Sequence, residues 1–512
     1  MKLDKASKDL SYCIELNLKK NPHRVFVYSD QEKITFYEVH KKILSIHLFL
    51  KKRGIKKNQK IIGYFNNSIE QIILMLAVVT YGAIWIPLST DREQSYLNFV
   101  LNMTNPKLVF TKEEFVKLFK KINLKKIISV EKNLTNFDRF STSVVKLAKQ
   151  SLHSTCAIVF TSGTSGPPKG VMITQKMLLL SAIGNHIASK QTKQDGYLLW
   201  EALHHIAGIQ LVVMALLFPT RVYLIKKFSK KIFWKLIRNY KITILHYLGG
   251  ILEILLKNNS SKFEKNNFIK IAYGAGCRPS VYRSFVKRFK IPIREVYGMT
   301  EASSFTTINY NNTQGVIGIP VPWLNVKLID QNKKVIKKIN CIGEIAIKEK
   351  IKGSITPGYF GQRKINKKNF FQTGDLAKYN SKYELIYMGR SRDSIRVRGI
   401  NISAWDLENI TNAHKKISES AALPVSASVG ENEILIIILK KNNSSTSLCS
   451  YANSLKNKFS KISFPRYWSF IDKFPRTPTQ RIDKKSIEIN QLSIFDFKKK
   501  KNYTIKKLLK FT

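Results

Sequence analysis

Along the chain, short apolar runs with β-branched character alternate with stretches in which apolar residues recur at helical spacing. Between residues 34 and 125 the runs 61–64, 83–86 and 108–110 predict strands, and 72–81 predicts a helix. The rhythm returns with strands at 222–225, 244–246, 269–273 and 293–296, and helices at 231–240 and 281–289. Such alternation predicts α/β packing in layers. From about residue 325 the pattern turns β-rich, through 326–329, 344–347 and 384–388. After Gly389-Arg390 comes a further mixed segment ending in the lysine-rich 498–501. No fixed-period repeat is visible, and the low-complexity patches 257–267 and 440–447 read as surface loops. The most membrane-like stretch, 72–88, falls just short of the roughly 18 apolar residues of a spanning helix. Gly82 and Pro87 punctuate it, so it predicts a buried helix, a glycine turn and a core strand that stops before Pro87.

A length of 512 residues predicts two or more domains, and 44% hydrophobic residues are enough for substantial cores, which excludes global disorder. The 87 Lys+Arg against 34 Asp+Glu leave a net charge of +53, which invites a nucleic-acid or anionic-membrane reading. The lysines are spread over the whole chain among Asn and Ile, however, as AT-rich coding bias would spread them. No recognition helix or RNA-binding aromatic motif accompanies them. A basic nucleic-acid-binding protein is kept as an alternative, with salt-steep binding as its signature. Cys13, Cys156, Cys277, Cys341 and Cys449 are odd in number and far apart, so neither a disulfide framework nor a zinc site is implied. The N-terminus shows no apolar signal region, and a cytoplasmic protein without a transmembrane segment is expected.

The sharpest local pattern is Ile158-Val-Phe-Thr161-Ser162-Gly163-Thr164-Ser165-Gly166-Pro-Pro-Lys169-Gly170. A strand-like run opens into small and hydroxylated residues and then a lysine. Hydroxyls and glycine amides can wrap a polyphosphate, and Lys169 adds a point charge. A mobile Gly/Ser loop is the commoner meaning of such composition, but not directly between a strand and a lysine. The Gly-Lys-[Ser/Thr] ending of a Walker loop is absent, and Gly274-Ala275-Gly276 lacks the third glycine of a dinucleotide fingerprint.

On these residues the chain resembles the acyl-adenylate-forming (AMP-binding) superfamily of acyl-CoA synthetases, luciferases and peptide-synthetase adenylation domains. Residues Thr161 to Gly170 resemble its Thr-Ser-Gly-Thr-Thr-Gly-x-Pro-Lys-Gly core, with Ser165 for the second threonine. Further motifs follow in family order: Tyr273-Gly274-Ala275-Gly276, Tyr297-Gly-Met-Thr300-Glu301, Thr373-Gly-Asp375, Gly389-Arg390-Ser-Arg392-Asp393, Arg396-Val-Arg-Gly399 and Pro475-Arg-Thr-Pro-Thr-Gln-Arg481. The set spans nearly the whole chain.

The resemblance implies a large N-terminal adenylation domain, 1–389, of layered α/β subdomains plus a β-rich part, and a small mobile α+β C-terminal domain, 390–512. It implies an ATP-dependent ligase that makes an acyl-AMP, releases pyrophosphate and passes the acyl group to coenzyme A. Residues 161–166 and Lys169 would handle the phosphates, Gly274, Ala275 and Gly276 the adenine, and Tyr297 would lie against that ring. Asp375 would hold the ribose hydroxyls, with Arg390 beside it. Thr300 would contact phosphate and Glu301 would ligate Mg2+. His205 matches a position beside the acyl pocket. Glu201, four residues earlier, stands where peptide synthetases place the aspartate that anchors the substrate amine. Arg392 matches the hinge, and Arg396 and Gly399 the coenzyme A side.

Within the superfamily, the segment from Arg396 to Glu408 most resembles ligases of the carnitine/crotonobetaine kind. A free-standing enzyme that loads an amino or fatty acid onto a carrier-protein thiol is the alternative. One departure matters. Where the family's last motif carries a lysine, this chain has Arg481, a planar fork in place of a compact ammonium. Either Arg481 does the work, or Lys484 does, or adenylation is impaired. The oligomeric state and the particular acid are not legible.

Overall fold

A computed structural model describes residues 2–90, 94–119, 127–130, 146–161, 168–248, 250–257, 264, 267–397, 400–426, 432–441, 446–460, 463–477 and 481–504. Among them the strands form five sheets.

The first layer is a mixed sheet in the order Ile127–Ser129, Leu108–Thr111, Lys60–Tyr64, Ile84–Leu88, Thr155–Thr161, Lys169–Thr174. Its early strands are parallel and buried on both faces, as their unbroken apolar runs require. The helix Ile69–Tyr81 is buried along nearly its whole length and stops at Gly82, whose φ of 90° caps it in the left-handed region. The following strand does not stop before Pro87. It runs to Leu88, with Pro87 opposite Gly63. A residue lacking an N–H is tolerated because the pairing with Thr155–Thr161 is confined to Trp85 and Ala157.

The second layer is a longer sheet. Its parallel centre runs Ile293–Tyr297, Ile271–Ala275, Ile244–Leu248, Gly196–Leu199, Arg221–Leu224. Helices Gln175–Ser189 and Ile206–Leu217 are both largely buried and join the two layers in one apolar core. The β-rich stretch forms an antiparallel sheet, Val335–Ile336, Leu324–Ile329, Gly343–Glu349, Phe371–Tyr379, Leu385–Arg390.

Residues after 390 build their own sheets. One is the hairpin Ser394–Val397 with Ile400–Ser403. The other runs Ile417–Ser426, Asn432–Lys440, Tyr467–Phe470, Ser493–Asp496, Lys501–Thr504. Among the described residues, their cores, centred on Trp468, Tyr451, Leu435 and Ile437, hold no residue from before 395. The patch expected as a loop at 257–267 begins as the end of the helix Gly250–Lys257. Most of its remainder lies outside the described residues, but Glu264 is buried against Arg288, 3.1 Å away; of 440–447, Lys440 ends the strand Asn432–Lys440 and 442–445 lie outside the described residues.

Candidate active site

Parallel strands present their carboxyl ends together, and ligands of open α/β sheets collect there. The strands ending at Leu248, Ala275 and Tyr297 supply His246, Tyr247, Tyr273, Glu295 and Tyr297.

Asp375 is the best-defined centre. Its Oδ2 accepts the Tyr297 hydroxyl at 2.7 Å, and its Oδ1 accepts Tyr387 at 3.3 Å and Arg390 Nε at 3.2 Å. The register of the antiparallel strands makes this possible by placing Asp375 opposite Arg390. Burial, followed by the charge of Asp375, pushes the Tyr297 hydroxyl well above its ordinary range. Tyr297 is thus a hydrogen-bond donor to the carboxylate. The ring of Tyr387 lies 6.1 Å from that of Tyr297.

Glu301 lies in the short turn Thr300–Ala302, with both Thr300 and Glu301 buried. The chain leaves that turn through two successive left-handed residues, Ser303 (φ 55°) and Ser304 (φ 67°). Such conformations are held only where the surroundings fix them. Here Ser303 Oγ donates to Ser354 O at 2.7 Å, and Glu301 O accepts Thr356 N–H at 2.8 Å. The Glu301 carboxylate accepts the Tyr359 hydroxyl at 2.9 Å. Lys169 Nζ stands 5.1 Å from the centre of the Tyr359 ring. The segment around Tyr359 pairs along Lys169–Thr174, with Phe360 N–H to Gly170 O at 2.8 Å, and this brings Lys169, Tyr359 and Glu301 into one row. Burial raises the Glu301 pKa, while Arg390 and Lys169 act in the opposite sense.

The loop after Ile271–Ala275 is pinned by Glu295. Its carboxylate accepts Gly276 N–H at 2.6 Å, Cys277 N–H at 2.9 Å and the Tyr247 hydroxyl. Gly274 is required because a Cβ there would sit 1.9 Å from the Tyr247 carbonyl oxygen. Tyr273 faces away, with its hydroxyl 2.6 Å from Asn185.

Beside the second sheet, the buried Glu201 is bonded through Oε1 to His246 Nδ1, and its Oε2 has no partner among the described residues. His205 caps the helix Ile206–Leu217, with Nδ1 accepting Ala207 N–H at 3.3 Å. Burial, then the charges of Arg481 and His246, drives its pKa down to about 4, so it is neutral at pH 7. Arg481 is exposed, yet it lies near enough for its charge to favour the ionised forms of Glu295 and Tyr387. It sits on a hairpin closed by Thr477 N–H to Arg481 O at 2.9 Å and the Arg476–Ile482 bridge. Lys484 faces elsewhere, onto Glu408 at 2.6 Å.

Thr161 ends its strand half-buried, its Oγ1 3.4 Å from Lys169 O. The rest of the predicted phosphate loop, Ser162, Gly163, Thr164, Ser165 and Gly166, lies outside the described residues, as does Gly399. Arg392 and Arg396 are placed by backbone only, in the turn Ser391–Asp393 and the strand Ser394–Val397. The structure therefore brings together Lys169, Thr300, Glu301, Tyr297, Asp375, Arg390 and the 274–276 loop, with Arg481 reaching in from the part of the chain after residue 390. Tyr359, Glu295, Tyr387 and His246 are additions that the motifs did not name. No cluster of three or more metal-ligating side chains occurs among the described residues. A Mg2+ held by one carboxylate and by substrate phosphates needs none, and Glu301 fits that manner of binding.

The chain is similar over nearly its whole length to several known proteins. The 2-succinylbenzoate–CoA ligase of Bacillus cereus is 23% identical over 480 residues, covering 92% of this chain and 96% of the relative. The Bacillus cytotoxicus ligase of the same name is 25% identical over 480 residues, covering 92% and 96%. ATP-bound MatB from Rhodopseudomonas palustris superposes with a TM-score of 0.85 at 19% identity, covering 93% of this chain and 97% of MatB. The o-succinylbenzoate CoA synthetase of Bacillus subtilis, in complex with its acyl-adenylate, gives a TM-score of 0.81 at 19% identity, covering 93% and 97%. The AMP-binding enzyme family model matches residues 14–360, and the chain belongs to that family.

Proposed function

We propose that this chain, an ATP-dependent acid–thiol ligase working through an acyl-adenylate, activates an aromatic keto acid of the 2-succinylbenzoate type and delivers it to coenzyme A. The observation that carries the reading is the convergence of Asp375, Glu301 and Lys169 with Arg481, which comes from the part of the chain after residue 390. The curated relatives supply the acid. In the first step a carboxylate oxygen attacks the α-phosphorus of ATP and expels pyrophosphate. In the second a thiolate attacks the acyl carbon and expels AMP. Asp375 takes the ribose hydroxyls, because a carboxylate offers only acceptors and retains lone pairs beside Tyr297. Lys169 and Arg390 offset phosphate charge, and Glu301 would hold Mg2+, which supplies charge neutralisation at the pyrophosphate. Arg481 stabilises charge on the α-phosphate as the new bond forms. His205, neutral at pH 7, shapes the acyl pocket. The 390–512 segment acts as a mobile domain hinged near Arg392, with Arg396 and Gly399 on the thiol side. All five cysteines are thiols, in keeping with a cytoplasmic setting.

A second reading, an acid with a cationic head of the carnitine kind, is favoured by one observation: the unpartnered Oε2 of the buried Glu201. One assay separates the two. ATP–pyrophosphate exchange is measured with 2-succinylbenzoate, carnitine, crotonobetaine, amino acids and fatty acids, with and without coenzyme A. Exchange with 2-succinylbenzoate and CoA-dependent consumption is expected. Exchange with carnitine or crotonobetaine alone overturns the first acid, and none with any acid overturns the ligase.

A further inference from the structure

A five-member charged cluster, none of whose members was assigned above, crosses from the large α/β part to the C-terminal segment. On the large side, Lys257 and Glu253 lie on the helix Gly250–Lys257. Arg278 sits just after the 274–276 loop, with Nη1 3.3 Å from Glu253 Oε1. On the small side, Glu419 lies in the strand Ile417–Ser426 and Arg476 lies on the hairpin of Arg481. Glu419 is the common partner. Its Oε2 is 3.8 Å from Lys257 Nζ and is bonded to Arg476 Nη2, and its carboxyl lies beside that of Glu253.

Two carboxyls in contact cannot both be ionised cheaply, so one holds the proton. Burial raises Glu253, whereas Lys257 and the Arg476 bond hold Glu419 low. Glu253 therefore holds the proton and Glu419 is the anion. The Glu419 side chain is 3% exposed, so its charge is sheltered from solvent, and the loss of a partner is felt.

We propose that Glu419 is a positioning residue for the adenylation step: by joining Lys257 and Glu253 to the hairpin base at Arg476, it fixes the orientation in which Arg481 meets the site. This rests on the ligase reading above. Arg476 and Arg481 are five residues apart on one closed hairpin, so anchoring the first limits where the second can point. The thiol step needs another orientation, and the large-side contacts must break while the Glu419–Arg476 pair travels with the small domain.

The test uses full-length protein and substitutions on the large side, outside the catalytic groups. Lys257→Glu repels Glu419, and Glu253→Ala removes the protonated carboxyl. Lys257→Arg and Glu253→Gln keep a cation and an N–H donor. With 2-succinylbenzoate and ATP, the first pair should slow pyrophosphate exchange about three- to tenfold at an unchanged KM for ATP. The conservative pair should stay near the wild-type rate. Thioester formation from supplied 2-succinylbenzoyl-AMP and CoA should not slow in any of them. Amide hydrogen exchange, which needs no substrate, should rise along 417–426 and 250–257 in Lys257→Glu and Glu253→Ala only. Wild-type exchange rates and amide protection in those two variants, or equal slowing of both half-reactions, overturn the proposal. If wild-type protein adenylates nothing, the ligase reading fails, and amide protection alone decides whether Glu419 docks the two parts.

Discussion

Lys484 Nζ lies 2.6 Å from Glu408 Oε1, which also accepts Ala422 N–H at 2.9 Å. That pair ties the rival cation into the C-terminal core, whereas the charge of Arg481 bears on His205, Glu295 and Tyr387. Arg481→Ala should lower pyrophosphate exchange by a factor on the order of 10², the scale of one lost transition-state charge contact, with little change in melting temperature. Lys484→Ala should do the reverse. It strands a buried carboxylate and lowers stability by about 1–3 kcal/mol, with adenylation near normal. Calorimetry beside the exchange assay separates the two, and a catalytic loss in Lys484→Ala without unfolding reassigns the role.

The hydrogen bonds around Asp375 predict graded effects on nucleotide binding. Asp375→Asn replaces one acceptor oxygen by a donor and should weaken ATP binding about tenfold or more. Tyr297→Phe leaves the carboxylate in place but removes its 2.7 Å donor, so about a two- to fivefold loss is expected. Titration calorimetry with ATP gives both values. Equal losses would mean that Tyr297 itself meets the nucleotide.

If Glu301 is the Mg2+ ligand, Glu301→Gln should raise the Mg2+ concentration needed for half-maximal exchange by about tenfold or more. Tyr359→Phe should raise it less, because Tyr359 acts through Glu301. A Mg2+ titration of each variant checks this. Unchanged Mg2+ dependence in Glu301→Gln removes the metal assignment.

Much of this was legible in the sequence, for physical reasons. Buried parallel strands need unbroken apolar runs, so Lys60–Tyr64, Leu108–Thr111, Ile244–Leu248 and Ile293–Tyr297 were placed to within two residues. Pro87 misled because a proline in a strand is harmless only where the neighbouring pairing is sparse, and pairing is a tertiary fact. Asp375, Tyr297 and Glu301 were legible as members of ordered motifs. Tyr359 and His246 were not, because their partners lie 58 and 45 residues away and neither sits in a motif. Spacing alone also left Arg481 and Lys484 undecided, since it gives position without direction.

Glu295 gives a pH prediction. Burial lifts its carboxyl from 4.5 to about 7, despite the Tyr247 hydroxyl, two backbone amides and Arg481, which all favour the ion. Below about pH 4.5 the group is neutral in folded and unfolded chains alike. Between 4.5 and 7 the folded protein keeps a proton that the unfolded chain has lost, so the Glu295 contribution to stability falls as pH rises. Above 7 the full cost is present, on the order of 3 kcal/mol. Glu295→Gln keeps an acceptor for Gly276 and Cys277 and a partner for Tyr247, but it cannot titrate. His205, held down at about 4, adds an opposite loss on acidification that is the same in both proteins and drops out of the difference. Denaturant unfolding of wild type and Glu295→Gln at about pH 5 and about pH 8 should show the variant gaining on the wild type at the higher pH. An equal difference at the two pH values would mean that Glu295 does not carry the proton.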